Sequence, residues 1–396
     1  MLDNGTVLGD VTVLDLSEGV AGPLCTRLLA DLGAQVLKIE RPGSGDISRG
    51  AGPWLPGGAG QGESALFLSL NQSKRSVTLN LENKVGAQLL KKLVLDFDIL
   101  VEGFPAGHLD QLGLGYTALA QVNPGLIFTS ITPFGQTGPY KDYKGSDIVA
   151  QAMGALMHTI GLPEREPLKV GGNAALYTTG VSAFSAVMVA LHVKDCQGHG
   201  QHVDVSAMEA ITVAQIHSSI HSQFGREPER RETNLVKASD GWISPGLETG
   251  VQEETWERAC ELMGVPELKD DPRFSTPQAR REHQQELLDV VGRWTAGLPK
   301  EEVYHTLQGL RSIAGYVATV ADLLNSDQLA SRGFWQQIET GSGVQGLLPG
   351  APFKMEGVST SRSSAPALGE HNQEVFCGRL GYTQEDLEQL KRSGVV

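Results

Sequence analysis

Three stretches decide the fold: Val11-Thr12-Val13-Leu14-Asp15-Leu16, Ser17-Glu18-Gly19-Val20-Ala21-Gly22-Pro23, and Ala34-Gln35-Val36-Leu37-Lys38-Ile39-Glu40. The first and third are short, mostly apolar and rich in branched residues, which predicts buried strands. The second is a glycine-containing turn, and the apolar run through Leu29–Leu32 after it predicts a helix. Strand, helix and strand in this order make a βαβ unit, so the sheet is expected to be parallel.

The pattern continues outward. Strands are expected over Val77–Leu81, Asp98–Glu102, Leu126–Ile131 and Gln201–Ser206, with a helix from about Glu82 to Val94. Residues 47–65 are rich in Gly and Pro and read as a long loop. Pro133-Phe134-Gly135-Gln136-Thr137-Gly138-Pro139-Tyr140 is a turn-rich loop after a strand end. The alternation predicts a Rossmann-like sheet with ligands at the carboxyl ends of its strands. Further on, Lys169–Gly180 is a small-residue turn where backbone can approach a ligand. Thr178 or Thr179 is expected to cap a helix over about 180–194, apolar on nearly every side and therefore buried. Leu176 stands in that turn where a reactive side chain would be held, and leucine has no chemistry.

Near Gln223 the texture changes. Arg226-Glu227-Pro228-Glu229-Arg230-Arg231-Glu232 reads as a charged linker. Helical patterns follow at Glu253–Met263, Glu282–Trp294, Lys300–Leu310 and Val320–Leu329. Pro349-Gly350-Ala351-Pro352-Phe353-Lys354 marks a return, and a last helix is expected from Thr383 to Arg392. The expected layout is a large α/β domain over 1–222, a small, mostly helical domain over 225–335, and a return to the large domain over 336–396.

A chain of 396 residues with 40% hydrophobic and 20% charged residues can bury a large core. A net charge of −14 argues against nucleic acid as a partner, which calls for a basic face. Four cysteines without a CxxC fit a reduced, cytoplasmic protein. No leader pattern opens the chain, and no apolar run is expected to span a membrane. The turn at 17–23 lacks GxGxxG, which speaks against a nicotinamide cofactor even though Glu40 ends the second strand. His217 and His221 are spaced i, i+4, but Ser218 replaces the glutamate of HExxH, so no metal is expected. His199 and His202 flank a glycine turn as structural residues. Lys74-Arg75 reads either as a phosphate grip or as a plain solvated pair, and Arg41 is a similar case.

Several of these stretches, in this order, resemble the family III CoA-transferases, also called the CaiB/BaiF or formyl-CoA transferase family. They are 13–16 with 21–23, 32–42, 71–77, 135–140, 200–206, and Pro352-Phe353-Lys354 with Leu368-Gly369-Glu370-His371. The resemblance implies a Rossmann-like large domain built from both chain ends and a small middle domain. It also implies two subunits interlocked like chain links. The reaction it implies moves CoA from a thioester such as succinyl-CoA to a carboxylic acid, with no permanently bound cofactor. An aspartate serves as covalent nucleophile. That aspartate lies four residues before a helix-starting glycine. Counting back from Gly180 gives Leu176, and no Asp or Glu lies between Pro167 and Lys194. CoA contacts are expected, in weakened form, from Gly19, Val20, Arg41, Lys74, Arg75, Gly135 and Gln136. The family's Asn-Phe-Arg-Pro-Gly reads Gly103-Phe104-Pro105-Ala106-Gly107 here. A basic residue further on becomes Gln111, and the tyrosine before Asp147 becomes Ser146. Ser146 also stands where related racemases carry a histidine.

The resemblance therefore implies a non-catalytic subunit with a homologous, aspartate-bearing partner, as in the succinyl-CoA:(R)-benzylsuccinate enzyme. In that pairing the segment Asp240-Gly241-Trp242-Ile243 would help shape the partner's acid pocket. An active homomer of unusual mechanism, using Asp147 or water, and a binding or regulatory protein on the same fold are the alternatives.

Overall fold

Strands β1 (Thr12–Asp15), β2 (Gln35–Glu40), β3 (Lys74–Thr78), β4 (Ile99–Glu102), β5 (Ile127–Thr132) and β6 (His202–Ser206) form one sheet in the order β3-β2-β1-β4-β5-β6. Every neighbouring pair is parallel. The computed structural model describes residues 6–55, 64–162, 164–225, 234–247, 253–339, 343, 345–358, 360 and 362–396. The linker expected at 226–232 lies outside the described residues, as do positions 56–63 of the Gly/Pro-rich loop. The chain divides into two compact units, Met1–Arg230 with Phe334–Val396, and Arg231–Gly333.

The sheet is covered on both faces, which is why its strands read as nearly continuous apolar runs. Alternate residues point to opposite sides. Val13, Val36, Ile99 and Ile127 pack with Cys25 and Leu29 of α1 (Ala21–Asp31) and with Ala183 and Val187 of a long later helix. Leu14, Leu37, Leu100 and Phe128 pack with Leu89 and Leu93 of α2 (Lys84–Val94) and with Val375, Phe376, Leu387 and Val395 from the chain's far end. Asn80 N donates to Val395 O at 2.8 Å and Thr78 N to Asn372 Oδ1 at 2.9 Å, tying the two ends of the chain together.

After β5, α3 (Asp147–Met153) leads to α4 (Ala174–Gln197), and β6 leads to α5 (Ala207–Val213) and α6 (Ile216–Gln223). Helix α4 begins six residues earlier than expected. Thr178 and Thr179 lie inside it, and their hydroxyls donate back to Ala174 O and Ala175 O instead of capping. The helix is also long and apolar enough, by length and composition alone, to cross a membrane, a test that the core helix of a soluble protein passes as well. Only one stripe of it is buried, through Ala175, Thr179, Gly180, Ala183, Val187, Ala190 and Leu191. Val181 and Val189 are exposed, as are Ile216 and Phe224 on and after α6.

The second unit has its own core around Trp256, Phe274, Leu287, Val291, Val303 and Leu307. Its helices include α7 (Glu253–Leu262), α8 (Pro277–Glu282), α9 (Gln284–Thr295) and α10 (Lys300–Gly309). A small antiparallel sheet of Val236–Lys237, Trp242–Ser244 and Gly315–Tyr316 was not expected, because strands of two or three residues carry no readable alternation. The helix foreseen over Val320–Leu329 is two short ones, Val320–Leu324 and Asp327–Ser331, the second capped by Ser326.

Close packing of α1 against α4 depends on Gly180. A Cβ there would lie 2.6 Å from Ala21 O and 2.9 Å from Leu24 Cδ2. Gly180→Ala is therefore expected to lower stability by about 1–3 kcal/mol through overpacking. Urea denaturation measures it; an unchanged midpoint would show that the two helices are not held this closely.

Candidate functional site

The strand order reverses direction at the β1–β4 boundary, and a crevice at the carboxyl ends of the strands is the consequence of such a switch. A cavity of about 470 Å³ occupies it. Its walls come from the turn after β1 (Ser17 to Gly22), the segment 47–51, Leu66, Gly103 after β4, Ile131 to Pro133 at the end of β5, Gly145 and Ser146, and Asn173, Leu176 and Thr179 on and before α4.

These loops are held by a buried ionic network. Asp15 and Lys38 are register partners on adjacent strands, and both are fully buried. Asp15 Oδ2 accepts from Lys74 Nζ at 2.9 Å and Thr26 Oγ1 at 2.8 Å, with Lys38 Nζ 3.6 Å away. Lys38 Nζ donates to Ser17 O at 2.8 Å and meets Asp46 Oδ2 at 2.8 Å. Asp46 Oδ1 accepts from Gly19 N at 2.9 Å and Ser48 N at 2.7 Å. Gly19 has φ +81, a conformation glycine adopts freely, so the turn can bend its N–H toward Asp46. Burial alone would raise Asp15, but Lys38 and Lys74 hold its carboxyl well below the usual carboxylate range. Burial, with the Lys38 charge adding to it, pushes Lys74 down to about 8 despite Asp15.

Lys74 is thus spent in the core. Its three partners are Asp15, Pro23 O and Asn71 Oδ1, each at 2.9 Å, and this corrects the reading of Lys74 as a phosphate grip or a solvated cation. The strand itself starts at Lys74, three residues before its expected start. Arg75 pairs on the surface with Glu374 at 2.7 Å. Gly19 and Val20 line the cavity. Arg41 lines a second cavity of about 410 Å³, together with Glu18, Phe104, His108 and Glu82. Glu18 belongs to both cavities, and its Oε1 lies 3.3 Å from Arg41 Nε. Burial raises Glu18 above its ordinary value, against the pull of Arg41.

At the amino end of α4, Asp147 is 6% exposed and surrounded by donors. Its Oδ1 accepts from Ala175 N at 2.9 Å and Leu176 N at 3.2 Å, capping the helix from a distance. Its Oδ2 accepts from Gln151 Nε2 at 2.6 Å and lies 3.1 Å from Lys169 Nζ. Leu176 presents an apolar side chain to the cavity from the same helical turn.

Gly135 and Gln136 lie elsewhere. Gln136 lines a small pocket of about 180 Å³ with Glu102, Asp110, Ser130 and His202. Its backbone N–H donates to Asp204, and its Oε1 accepts from Gly107 N at 3.3 Å. Gly135 N donates to Thr132 Oγ1 at 2.8 Å. His202 takes part in this pocket through Ser130 Oγ at 2.9 Å, under a stacked Tyr116 ring. Glu102 accepts from Phe104 N at 2.7 Å and so fixes the start of the 103–107 loop. Burial, with Asp110 and Asp204 nearby, pushes Glu102 up to about 7 although hydrogen bonds from the Ser130 side chain and Phe104 N favour its ionised form. His217 and His221 are exposed, and no metal-holding cluster exists among the described residues.

Sequence reading passed over Glu18, Glu102 and the Asp15–Lys38–Asp46 network. The signal was present: Asp15 and Lys38 are opposite charges inside two strands that read as buried, and buried charges need partners.

The model of CoA-transferase family III matches residues 8–372. Formyl-CoA:oxalate CoA-transferase of Streptomyces avermitilis is 33% identical over 411 residues, covering 98% of this chain and 99% of that protein. Succinyl-CoA–L-malate CoA-transferase beta subunit of Chloroflexus aurantiacus is 30% identical over 407 residues, covering 98% of each. The crystal structure of a CaiB/BaiF family protein from Brucella suis superposes with a TM-score of 0.83 at 31% identity, covering 94% of this chain and 98% of that one.

Two measurements check the site's electrostatics. Lys74→Met leaves Asp15 in the core with the more distant Lys38, 3.6 Å away, as its remaining cation and is expected to cost about 3–5 kcal/mol in urea denaturation; a loss under 1 kcal/mol would mean the pair is dispensable. Glu102 keeps an extra proton in the folded state between about 4.5 and about 7. Its contribution to stability therefore declines as pH rises through that window. Glu102→Gln is expected to flatten the decline, by on the order of 1–3 kcal/mol across it. Parallel stability–pH curves for the two proteins would contradict the raised carboxyl.

Proposed function

The chain belongs to CoA-transferase family III, and from that premise we propose that it is the non-catalytic subunit of an enzyme that moves CoA from an acyl-CoA, such as succinyl-CoA, to a carboxylic acid. Its partner is a homologous chain carrying the aspartate nucleophile. Leu176 carries this reading: a hydrocarbon side chain lines the cavity at the position where the resemblance implies the carboxylate nucleophile. Asp147 does not replace it. Four donors already surround its two oxygens, so Oδ1 could attack only by breaking the helix cap and Oδ2 only by giving up Gln151 and Lys169.

CoA binding is weakened rather than lost. Arg41 remains at the second cavity, while Lys74 is committed to the core and Arg75 to Glu374. Gly103, Pro105, Gln111 and Ser146 lack the groups that the resemblance implies for phosphates, and each lost charged partner costs about 1–3 kcal/mol. Pairing is supported by the exposed apolar side chains Val181, Val189, Val213, Ile216 and Phe224, which an interlocked partner would cover. A relative that carries the name of a beta subunit agrees with a two-chain enzyme.

The pure chain, given succinyl-CoA and a panel of carboxylates, is expected to show no transfer and no covalent adduct by intact-mass spectrometry. Turnover by the homomer with an acyl or CoA adduct on Glu18, or on any other residue, would refute the reading. Leu176→Asp alone is expected to stay well short of full activity, since the CoA contacts remain altered.

A further inference from the structure

The 103–107 loop borders the cavity at the switch point, the second cavity and the small pocket. Gly103 lines the first, Phe104 and the adjoining His108 line the second, and Pro105 and Gly107 line the third. Side chains anchor the loop at both ends. Gln136 Oε1 accepts from Gly107 N at 3.3 Å, and Glu102 Oε2 accepts from Phe104 N at 2.7 Å. The second bond lies at the short end of the range for an N–H donor, as an ionised acceptor favours. We infer that Glu102 is the positioning residue of this loop, and that gain of a proton by Glu102 loosens the loop and reverses a hydrogen-bond chain through Ser130 to His202.

The chain follows from the register. Glu102 of β4 is the partner of Ser130 on β5, and Ser130 is the partner of Asp204 on β6, so the three side chains share one face of the sheet. Glu102 and Ser130 are buried. The Ser130 hydroxyl reaches the Glu102 carboxylate and lies 2.9 Å from His202 Nε2. It has a single hydrogen to give. With Glu102 ionised, that hydrogen goes to the carboxylate, and Ser130 Oγ accepts from His202 Nε2–H. With Glu102 protonated, its O–H donates to Ser130, Ser130 donates to Nε2, and the ring hydrogen of His202 sits on Nδ1. Phe104 N is then left with a neutral acceptor, which holds it less strongly. The surroundings place this exchange near neutral pH. Burial, with Asp110 of the short helix His108–Gln111 and Asp204 of β6 adding negative charge, pushes Glu102 up to about 7. His108 and Tyr116 are the other titratable groups on the pocket wall, and no Lys or Arg is among its described lining residues. Burial also lowers His202 from its ordinary value, against Asp204 and Asp110, which favours the neutral ring that the chain needs.

NMR of isotope-labelled histidine-ring and phenylalanine-amide nitrogens in the ligand-free protein reports both ends of the chain. Between about pH 6 and about pH 8, His202 Nε2 is expected to change from acceptor to N–H, and the Phe104 amide to shift with the same midpoint. Glu102→Gln, which cannot ionise, is expected to remove both responses. Ser130→Ala is expected to remove the His202 response and keep that of Phe104, a split that a merely structural Glu102 would not produce. On the proposed reading of these cavities as a CoA site, CoA affinity by calorimetry is expected to be about fivefold higher at the upper pH, and the difference to shrink in Glu102→Gln. A charge gained by His108 at low pH would favour phosphates and give the opposite sign. His202 and Phe104 signals that stay fixed across the range, or responses retained in Glu102→Gln, would overturn the positioning role. Absence of CoA binding at either pH, with both nitrogen responses present, would uphold that role and contradict the CoA reading alone.

Discussion

The pairing of Asp15 with Lys38 and Lys74 is the constraint on which the site depends. It joins three adjacent strands, through the end of β1, the middle of β2 and the start of β3, inside a core where an unpaired charge would be very costly. Because Lys38 also reaches Ser17 O and Asp46, the same charges set the course of the 17–19 turn and the 46–50 segment. Those two segments form one wall of the cavity at the topological switch. The apolar faces of the sheet supply stability; the ionic network fixes where the backbone goes next.

The second constraint is the amino end of α4. A helix of 24 residues presents a concentration of unpaired N–H groups there, a natural seat for a negative charge. In this chain the seat is taken by Asp147 from a neighbouring helix, and the residue offered to the cavity is Leu176. This is, in the proposed reading, a site whose scaffold is kept while a hydrocarbon stands in place of the reactive group. Under the proposed reading, such a chain retains folding and pairing while the chemistry belongs to another subunit.

Much of this was legible beforehand, for physical reasons. The parallel sheet followed from buried strands alternating with helices, and strands β1, β2, β4, β5 and β6 lie within a residue or so of their expected positions. β3 was displaced because Lys74, a lysine, reads as a loop residue unless its buried partner is known. Helix α4 was foreseen too short because small residues and glycines at 171–175 read as a turn, and its distant cap, Asp147, lies in another element. The chain also exposes one side of α4, where the composition had suggested burial all round. The dispersal of the expected CoA contacts among three pockets, the core and the surface was beyond sequence reading. Register and side-chain direction decide it.

Under the proposed reading this chain is one half of a two-chain enzyme. Native mass spectrometry of the assembly isolated from the cells that make it, with every chain identified, tests that most directly. A complex containing this chain and a homologue in equal number is expected, the homologue bearing an aspartate at the position of Leu176. An assembly of this chain alone that transfers CoA would contradict it.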